Sequence, residues 1–308
     1  MTNSERTSLP RVSRLLVAGA LAAPALSLAQ PSFTGHYPIG VEGLKSGTLP
    51  PPGFYLRDYN LFYGAGQLND SEGNKVDNLD FDAFVYANAI RPIWITNLKL
   101  LGANYGLDVL VPLIYKNVAA GGTRNELFDL GDIFVEPVTL SWHFQQFDLG
   151  IGYGIWAPTG NVKTDSVTMG TGEGCWSHMF TGGGTFYFDK EKTWSFSALG
   201  RYEINYKSSD WSITPGDTLS LEGGLGKALS PAFELGVQAH YQLQTTDDEA
   251  HDGVVADPNR DSTVAVGPEA VWFWEKAKLF ISVRYGYEVL AESRPQGQTG
   301  TITLTKMF

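Results

Sequence analysis

"AFELGVQAHYQLQTT" (Ala232–Thr246) alternates without a break. Phe233, Leu235, Val237, Ala239, Tyr241 and Leu243 share one parity. Glu234, Gly236, Gln238, His240, Gln242 and Gln244 share the other. Side chains on a strand point alternately to opposite faces, so this segment is a strand with one apolar and one polar face. Its length decides more than its pattern. A typical globular strand has about five or six residues, whereas a tilted strand needs about 9–11 to cross the hydrocarbon of a bilayer. "WSFSALGRYEINYK" (Trp194–Lys207), "STVAVGPEAVWFW" (Ser262–Trp274) and "AKLFISVRYGYEVL" (Ala277–Leu290) behave the same way. Long alternating strands predict an all-β fold, a transmembrane antiparallel β-barrel.

Twelve strands are expected, near residues 53–63, 80–90, 98–115, 127–145, 147–157, 175–188, 194–207, 216–228, 232–245, 262–275, 278–290 and 300–308. The connections alternate in length. Stretches such as "APTGNVKTDSVTMGTGEG", "TTDDEAHDGVVADPNRD" and "AESRPQGQT" are long and rich in turn formers, while "QQ", "DKEKT", "LSP" and "KA" are short. An even strand count with short periplasmic turns and longer extracellular loops is the pattern of outer-membrane barrels. Aromatics gather at both strand ends. Trp142, Phe144, Phe147, Phe186, Phe188, Trp194, Phe196, Phe233 and Trp272 lie near the short turns, and Tyr63, Tyr115, Trp156, Trp176, Tyr206, Tyr241 and Tyr287 lie toward the long loops. These predict two interfacial girdles.

Two hairpins predict a register. A turn at Lys276-Ala277 sets Glu269 opposite Arg284, Trp272 opposite Ile281 and Trp274 opposite Leu279; a one-residue slip would mix the faces. A three-residue turn through "LSP" would set Glu222 opposite Gln238 and Ser220 opposite His240.

The rest of the chain fits export. "MTNSERTSLPRVSR" carries Arg6, Arg11 and Arg14, "LLVAGALAAPALSLA" is uncharged, and Ser27 and Ala29 precede a cleavage point. Residues 1–29 therefore read as a signal peptide. Hydrophobic residues make up 43% of the chain, yet past Ala29 no apolar run approaches the roughly 18 residues of a spanning helix. The net charge of −11 gives no basic surface for nucleic acid. Cys175 is the single cysteine, so there is no internal disulfide. Residues 53–308 would form the barrel. Residues 30–52 read as a periplasmic tail ordered by "PPP". The alternative is an inward-folded hatch, with Tyr37, Ile39, Val41 and Leu44 as its apolar points.

No motif demands chemistry, cofactor or metal. "LGIGYGIW" places Gly150, Gly152 and Gly154 on one face without the spacing of a dinucleotide fingerprint; glycines there would make room inside a barrel. "DPNRDS" begins like a calcium loop at Asp257, Asn259 and Asp261 but has Ser262 at the sharp-turn position and Pro268 at the bidentate one. Ser220, His240 and Glu222 are the best nucleophilic candidates, since the expected register makes Ser220 and His240 neighbours. The simpler reading puts them in a mixed-charge lumen wall with Arg201, Glu203, Gln238, Glu269, Arg284 and Glu288. Such a wall lines a path or fills a narrow barrel.

"GHYPIGVEGLKSGTLPPPGFYLRDYNLFY" (Gly35–Tyr63), "GDIFVEPVTLSWHF" (Gly131–Phe144) and "YGIWAPTG" (Tyr153–Gly160) resemble a family of Gram-negative outer-membrane proteins associated with gene clusters for meta-pathway phenol degradation. The resemblance runs from about Gly35 to Phe308. It implies a barrel in the outer membrane of a Gram-negative bacterium, carrying aromatic or other hydrophobic compounds. The expected function is a channel for passive uptake of small hydrophobic or aromatic solutes, not an enzyme. A hydrolase using Ser220 and His240, or an adhesion barrel with Thr245–Asp261 as its contact surface, are the alternatives. "GTITLTKMF" (Gly300–Phe308) would close the barrel, with Ile302, Leu304 and Phe308 facing lipid. Phe308 also resembles the terminal signal read by the barrel-assembly machinery, which with outer-membrane lipid completes the expected partners.

Overall fold

The computed structural model describes residues 35–253 and 258–308; the expected signal peptide and Asp257 lie outside them. The strands are β1 (Gly53–Leu68), β2 (Phe81–Leu100), β3 (Ala103–Ala120), β4 (Thr123–Leu130), β5 (Ile133–His143), β6 (Phe147–Ala157), β7 (Ser177–Tyr187) and β8 (Trp194–Asn205). They continue with β9 (Ile213–Thr214), β10 (Thr218–Ser230), β11 (Phe233–Gln244), β12 (Glu249–Ala250), β13 (Ser262–Trp274), β14 (Leu279–Glu292) and β15 (Pro295–Met307). Neighbours in sequence pair antiparallel, and β1 pairs with both β2 and β15, from Tyr55↔Met307 to Leu68↔Pro295. The sheet closes on itself. Closure leaves no strand edge unpaired in lipid.

β4 and β5 follow each other along one edge of β3 and share a single position in the wall, which gives a twelve-stranded barrel among the described residues. The break expected nowhere in 127–145 falls at Gly131-Asp132. Asp132 turns aside there to accept the backbone N–H groups of Gly160 and Glu173 at 2.8 and 2.7 Å. β9 and β12 pair with each other in the long loops, where Trp211 and Ile213 pack with Val162 and Met169. The long loops thus share a small core of their own.

The outer face is apolar. Val237, Val283, Leu235 and Ile302 are exposed there, while Gln238, His240, Arg284 and Thr301 alternate with them inside and are buried. The short-turn rim carries exposed Phe54, Trp94, Phe147, Phe186, Trp194, Phe196, Trp272 and Trp274, and the other rim Trp176, Tyr206 and Tyr287. Both girdles are present, with two corrections. Trp156 and Tyr63 turn inward: Trp156 packs on Phe134, and the Tyr63 hydroxyl donates to Glu288 at 3.1 Å. A lipid-facing charge should be costly near the bilayer midplane. Val283→Arg is expected to lower the free energy of folding into vesicles by about 2–4 kcal/mol in a urea titration.

The Lys276-Ala277 register stands: Glu269↔Arg284, Trp272↔Ile281 and Trp274↔Leu279 are partners. The "LSP" register does not. β10 and β11 bulge between Ala228 and Ser230, the turn tightens to Pro231-Ala232, and the pairs become Glu222↔His240 and Ser220↔Gln242. The shift is two residues, so every side chain keeps its face.

Several ends move. β2 runs to Leu100 rather than residue 90, through Pro92, which faces Leu56 on β1 but has no partner on β3. A proline interrupts one ladder without ending the strand. β3 and β4 extend through most of the expected loop "KNVAAGGTRNE" and turn at Gly121-Gly122. The last expected loop shrinks to a turn at Ser293-Arg294, so the closing strand begins at Pro295 instead of residue 300. Inside, Gly152 makes room for Glu136 and Gly154 for Phe134: a Cβ at either would lie 2.3 or 2.2 Å from those side chains.

Candidate functional site: a plugged lumen with an apolar wall

Eight strands tend to fill their interior with side chains, and sixteen leave an aqueous channel. Twelve lie between, and here the interior holds a length of the chain itself. Residues 35–52 are not a tail beside the barrel. They run down the lumen from the long-loop end, where Gly35 lies beside Glu203, to the short-turn end, where β1 begins.

The polar wall grips this segment. The Glu203 carboxylate accepts the His36 backbone N–H at 2.9 Å and pairs with its Nδ1 at 2.6 Å. Glu222 accepts the Tyr37 hydroxyl, the Gly40 N–H at 2.7 Å and the Glu42 N–H at 3.2 Å, and holds Arg201 at 3.0 Å. The Arg201 guanidinium also covers the Tyr37 ring at 4.1 Å. Glu269 accepts the Leu44 N–H at 2.7 Å, and Arg284 donates to the Val41 carbonyl and to Thr303 Oγ1. Lower down, Lys45 pairs with Glu234 at 2.6 Å, and the Thr48 hydroxyl donates to Asp148 at 3.1 Å. Buried backbone N–H groups must find acceptors. With no helix or strand of its own, this segment takes several from the barrel's carboxylates, while Ser46 and Thr48 donate to its own Gly43 and Lys45 carbonyls.

Close packing completes the fit. A Cβ on Gly47 would lie 2.3–2.5 Å from the Gly184 backbone, so only glycine lets the segment touch the wall there. Leu44 enters a dent formed by Gly224, Gly226 and Gly236. Charge is also matched. Burial disfavours the Glu42 carboxylate, but Arg57, Arg201 and Arg284 outweigh it and hold its pKa down at about 2. Glu42 stays ionised, bound to Arg57 at 2.9 Å and to the Tyr59 hydroxyl at 2.7 Å. Burial likewise opposes charge on His36. Glu203 and Asp132 outweigh this and raise its pKa well above the usual histidine value, and its ring stacks on Trp156.

All eight expected lumen residues, Arg201, Glu203, Glu222, Gln238, His240, Glu269, Arg284 and Glu288, are buried on the inner face. Arg201, Glu203, Glu222, Glu269 and Arg284 touch the inner segment directly. Gln238 instead donates to the Tyr285 carbonyl at 2.9 Å, and Glu288 serves Tyr63. The His240 ring lies under Gly40, and neither of its nitrogens has a hydrogen-bond partner. Of the apolar points, Tyr37, Ile39 and Val41 are buried and Leu44 is half-buried. The structure does not bring Ser220 to His240: Ser220 Oγ receives the Gln242 amide at 3.1 Å.

What the sequence reading missed is the opposite wall. There the inner face carries an apolar patch: Tyr59 and Leu61 of β1, Phe134 of β5, Trp156 of β6 and Met179 of β7 pack with Tyr37 and Val41, flanked by Ala87, Ala89 and Leu110. Below this patch, Arg91 binds Asp108 at 2.7 Å and Glu136 at 2.7 Å. The signal for this wall was present as strands apolar on both faces, which reads as broken alternation.

Among the described residues, three cavities succeed one another along the lumen beside the plug. A vestibule of about 580 Å³ lies among the long loops, bounded by Gly35–Ile39, Tyr63, Lys116, Glu173 and Arg294. A pocket of about 130 Å³ comes next, lined by Tyr37, Val41, Tyr59, Leu61, Phe134, Trp156 and Met179. It shares His36, Tyr37, Leu61, Lys116 and Glu173 with the vestibule. A third space of about 290 Å³, bounded by Glu42–Pro50, Ile93, Glu136 and Thr305, shares Glu42, Arg91 and Arg201 with the pocket.

The comparisons place this architecture. Residues 65–304 match the family described as "Putative MetA-pathway of phenol degradation". The chain belongs to that family. No curated protein matches it. Among solved structures, the COG4313 outer membrane channel from Pseudomonas putida F1 is similar at 16% identity, with a TM-score of 0.75 over 88% of this chain and 99% of the other. The translocator domain of the autotransporter NalP from Neisseria meningitidis has 12% identity and a TM-score of 0.48, covering 84% and 90%. A FadL homologue from Pseudomonas aeruginosa has 9% identity and a TM-score of 0.41, covering 83% and 89%. The first of these shares the fold. A closed barrel with an apolar outer band and a family of this kind make the chain an outer-membrane protein, in contact with membrane lipid.

Proposed function

We propose that the protein is an outer-membrane channel for passive inward movement of small hydrophobic or aromatic compounds. The observation that carries this reading is the succession of three cavities down the lumen beside the plug, each sharing residues with the next. The middle one is lined on one side by Tyr59, Leu61, Phe134, Trp156 and Met179, a surface suited to an apolar solute. The family's link to phenol degradation and the name of the Pseudomonas putida structure support it. Phe308, exposed at the short-turn rim beside Phe54, suits recognition by the barrel-assembly machinery.

Porin-deficient cells producing the chain are expected to accumulate radiolabelled toluene or phenol faster than cells without it, at a rate unchanged by a protonophore. Equal rates, or loss of uptake with the protonophore, would reject passive transport. A hydrolase has less support, because its serine and histidine are not neighbours. Retained uptake in His240→Ala together with loss of an esterase activity would reinstate it.

A further inference from the structure

Besides His36, the vestibule and the apolar pocket share two ionisable side chains, Lys116 on β3 and Glu173 in the loop before β7. Among the described residues, neither side chain makes a hydrogen bond or an ion pair within 4.0 Å. Every other charge near the plug is engaged: His36 with Glu203 and Asp132, Arg91 with Asp108 and Glu136, Arg201 with Glu222. Lys116 and Glu173 feel each other's charge but leave their hydrogen-bonding atoms unused at the mouth of the pocket. Within the pocket a third polar group is unanswered, since the buried Trp156 indole N–H has no acceptor.

The pocket's size limits what reaches these groups. At about 130 Å³ it approaches the apolar cavity of roughly 150 Å³ that holds benzene in an engineered protein. One six-membered ring fits that volume. The polar groups limit the ring's substituent. A hydroxyl both donates and accepts, so it can give its proton to Glu173 and take one from Lys116. A methyl group can do neither. A carboxylate only accepts, and it would face Glu173, Asp132 and Glu203 together.

We infer that Lys116 and Glu173 are a specificity pair that reads an uncharged hydroxyl on a single aromatic ring seated in the Trp156–Phe134 pocket. This rests on the pocket being part of the solute path. It makes the channel selective for phenols over hydrocarbons of equal size and over aromatic acids.

Calorimetry on the purified full-length barrel in detergent, with matched micelle blanks, tests it using phenol, toluene and benzoate at pH 7. Wild type is expected to bind phenol about tenfold or more tighter than toluene, as hydrogen bonds to charged groups would give, and benzoate weakest. Lys116→Met and Glu173→Gln should each bring phenol close to toluene while leaving toluene unchanged, which also reports that the pocket is folded. Variants that keep the phenol preference, or benzoate binding tighter than phenol, would overturn the pair while sparing the transport reading. Failure of wild type to bind any of the three rings would overturn both.

Discussion

Deleting Ser32–Leu49 is expected to turn a barrel of low conductance into an open pore in planar bilayers. Of the deleted residues, 35–49 lie along the lumen, and the side chains left behind are those that now bind them. Glu203, Glu222, Glu269, Glu234, Arg201 and Arg284 would face water, giving a charged passage that conducts small ions and responds to ionic strength. Conductance should rise several-fold, with longer open times. Unchanged conductance would show that residues 35–52 do not restrict the path. Uptake of toluene should rise much less, because the apolar side chains of the wall, Tyr59, Leu61, Phe134, Trp156 and Met179, remain.

Replacing Glu222 by Ala should have the largest effect on stability of any single lumen substitution. Its carboxylate is the point where the Tyr37 hydroxyl, the Gly40 and Glu42 N–H groups and Arg201 converge. Removing it leaves the Arg201 guanidinium buried with Tyr37 and no bonded carboxylate. Breaking a buried pair in this way costs about 3–5 kcal/mol. The loss should appear as a lower urea midpoint. Arg201→Met combined with Glu222→Leu should recover most of it, since replacing both charges by apolar groups removes the unpaired ion. If the double variant is as unstable as Glu222→Ala, the cost lies in the plug's lost hydrogen bonds rather than in the stranded charge.

The contrast between the two walls explains what could be read from the sequence. β8, β11, β13 and β14 face the plug with Arg201, His240, Glu269 and Arg284, so their inner parity is polar and the alternation is plain. β2 turns Ala83, Ala87, Ala89, Ile93 and Ile95 inward, and its outer face is apolar as well. Period-two contrast vanishes there, and Pro92 deepens the false break. The Glu269–Arg284 register was legible because its turn is short and regular. The Ser220–His240 register was not, because one bulged residue near Leu229 shifts the pairing without exchanging faces. The plug's anchors were half legible. The inward carboxylates stood out by parity, but nothing local in "GHYPIGVEGLKSGTL" announces that its backbone N–H groups will use them.

The seam between β1 and β15 has a consequence for the order of assembly. It joins Tyr55 to Met307, the longest separation along the chain of any ladder in the barrel. Every other wall ladder links strands that follow closely in sequence, and contacts distant in sequence form slowly because the intervening loop must first be closed. The seam is therefore the natural last step. The plug is attached directly ahead of β1, while its carboxylate acceptors lie on β8, β10, β11 and β13. Those strands can gather before the wall is complete and draw the segment into the open sheet, so that β1, arriving with it, seals the cylinder around a thread already in place.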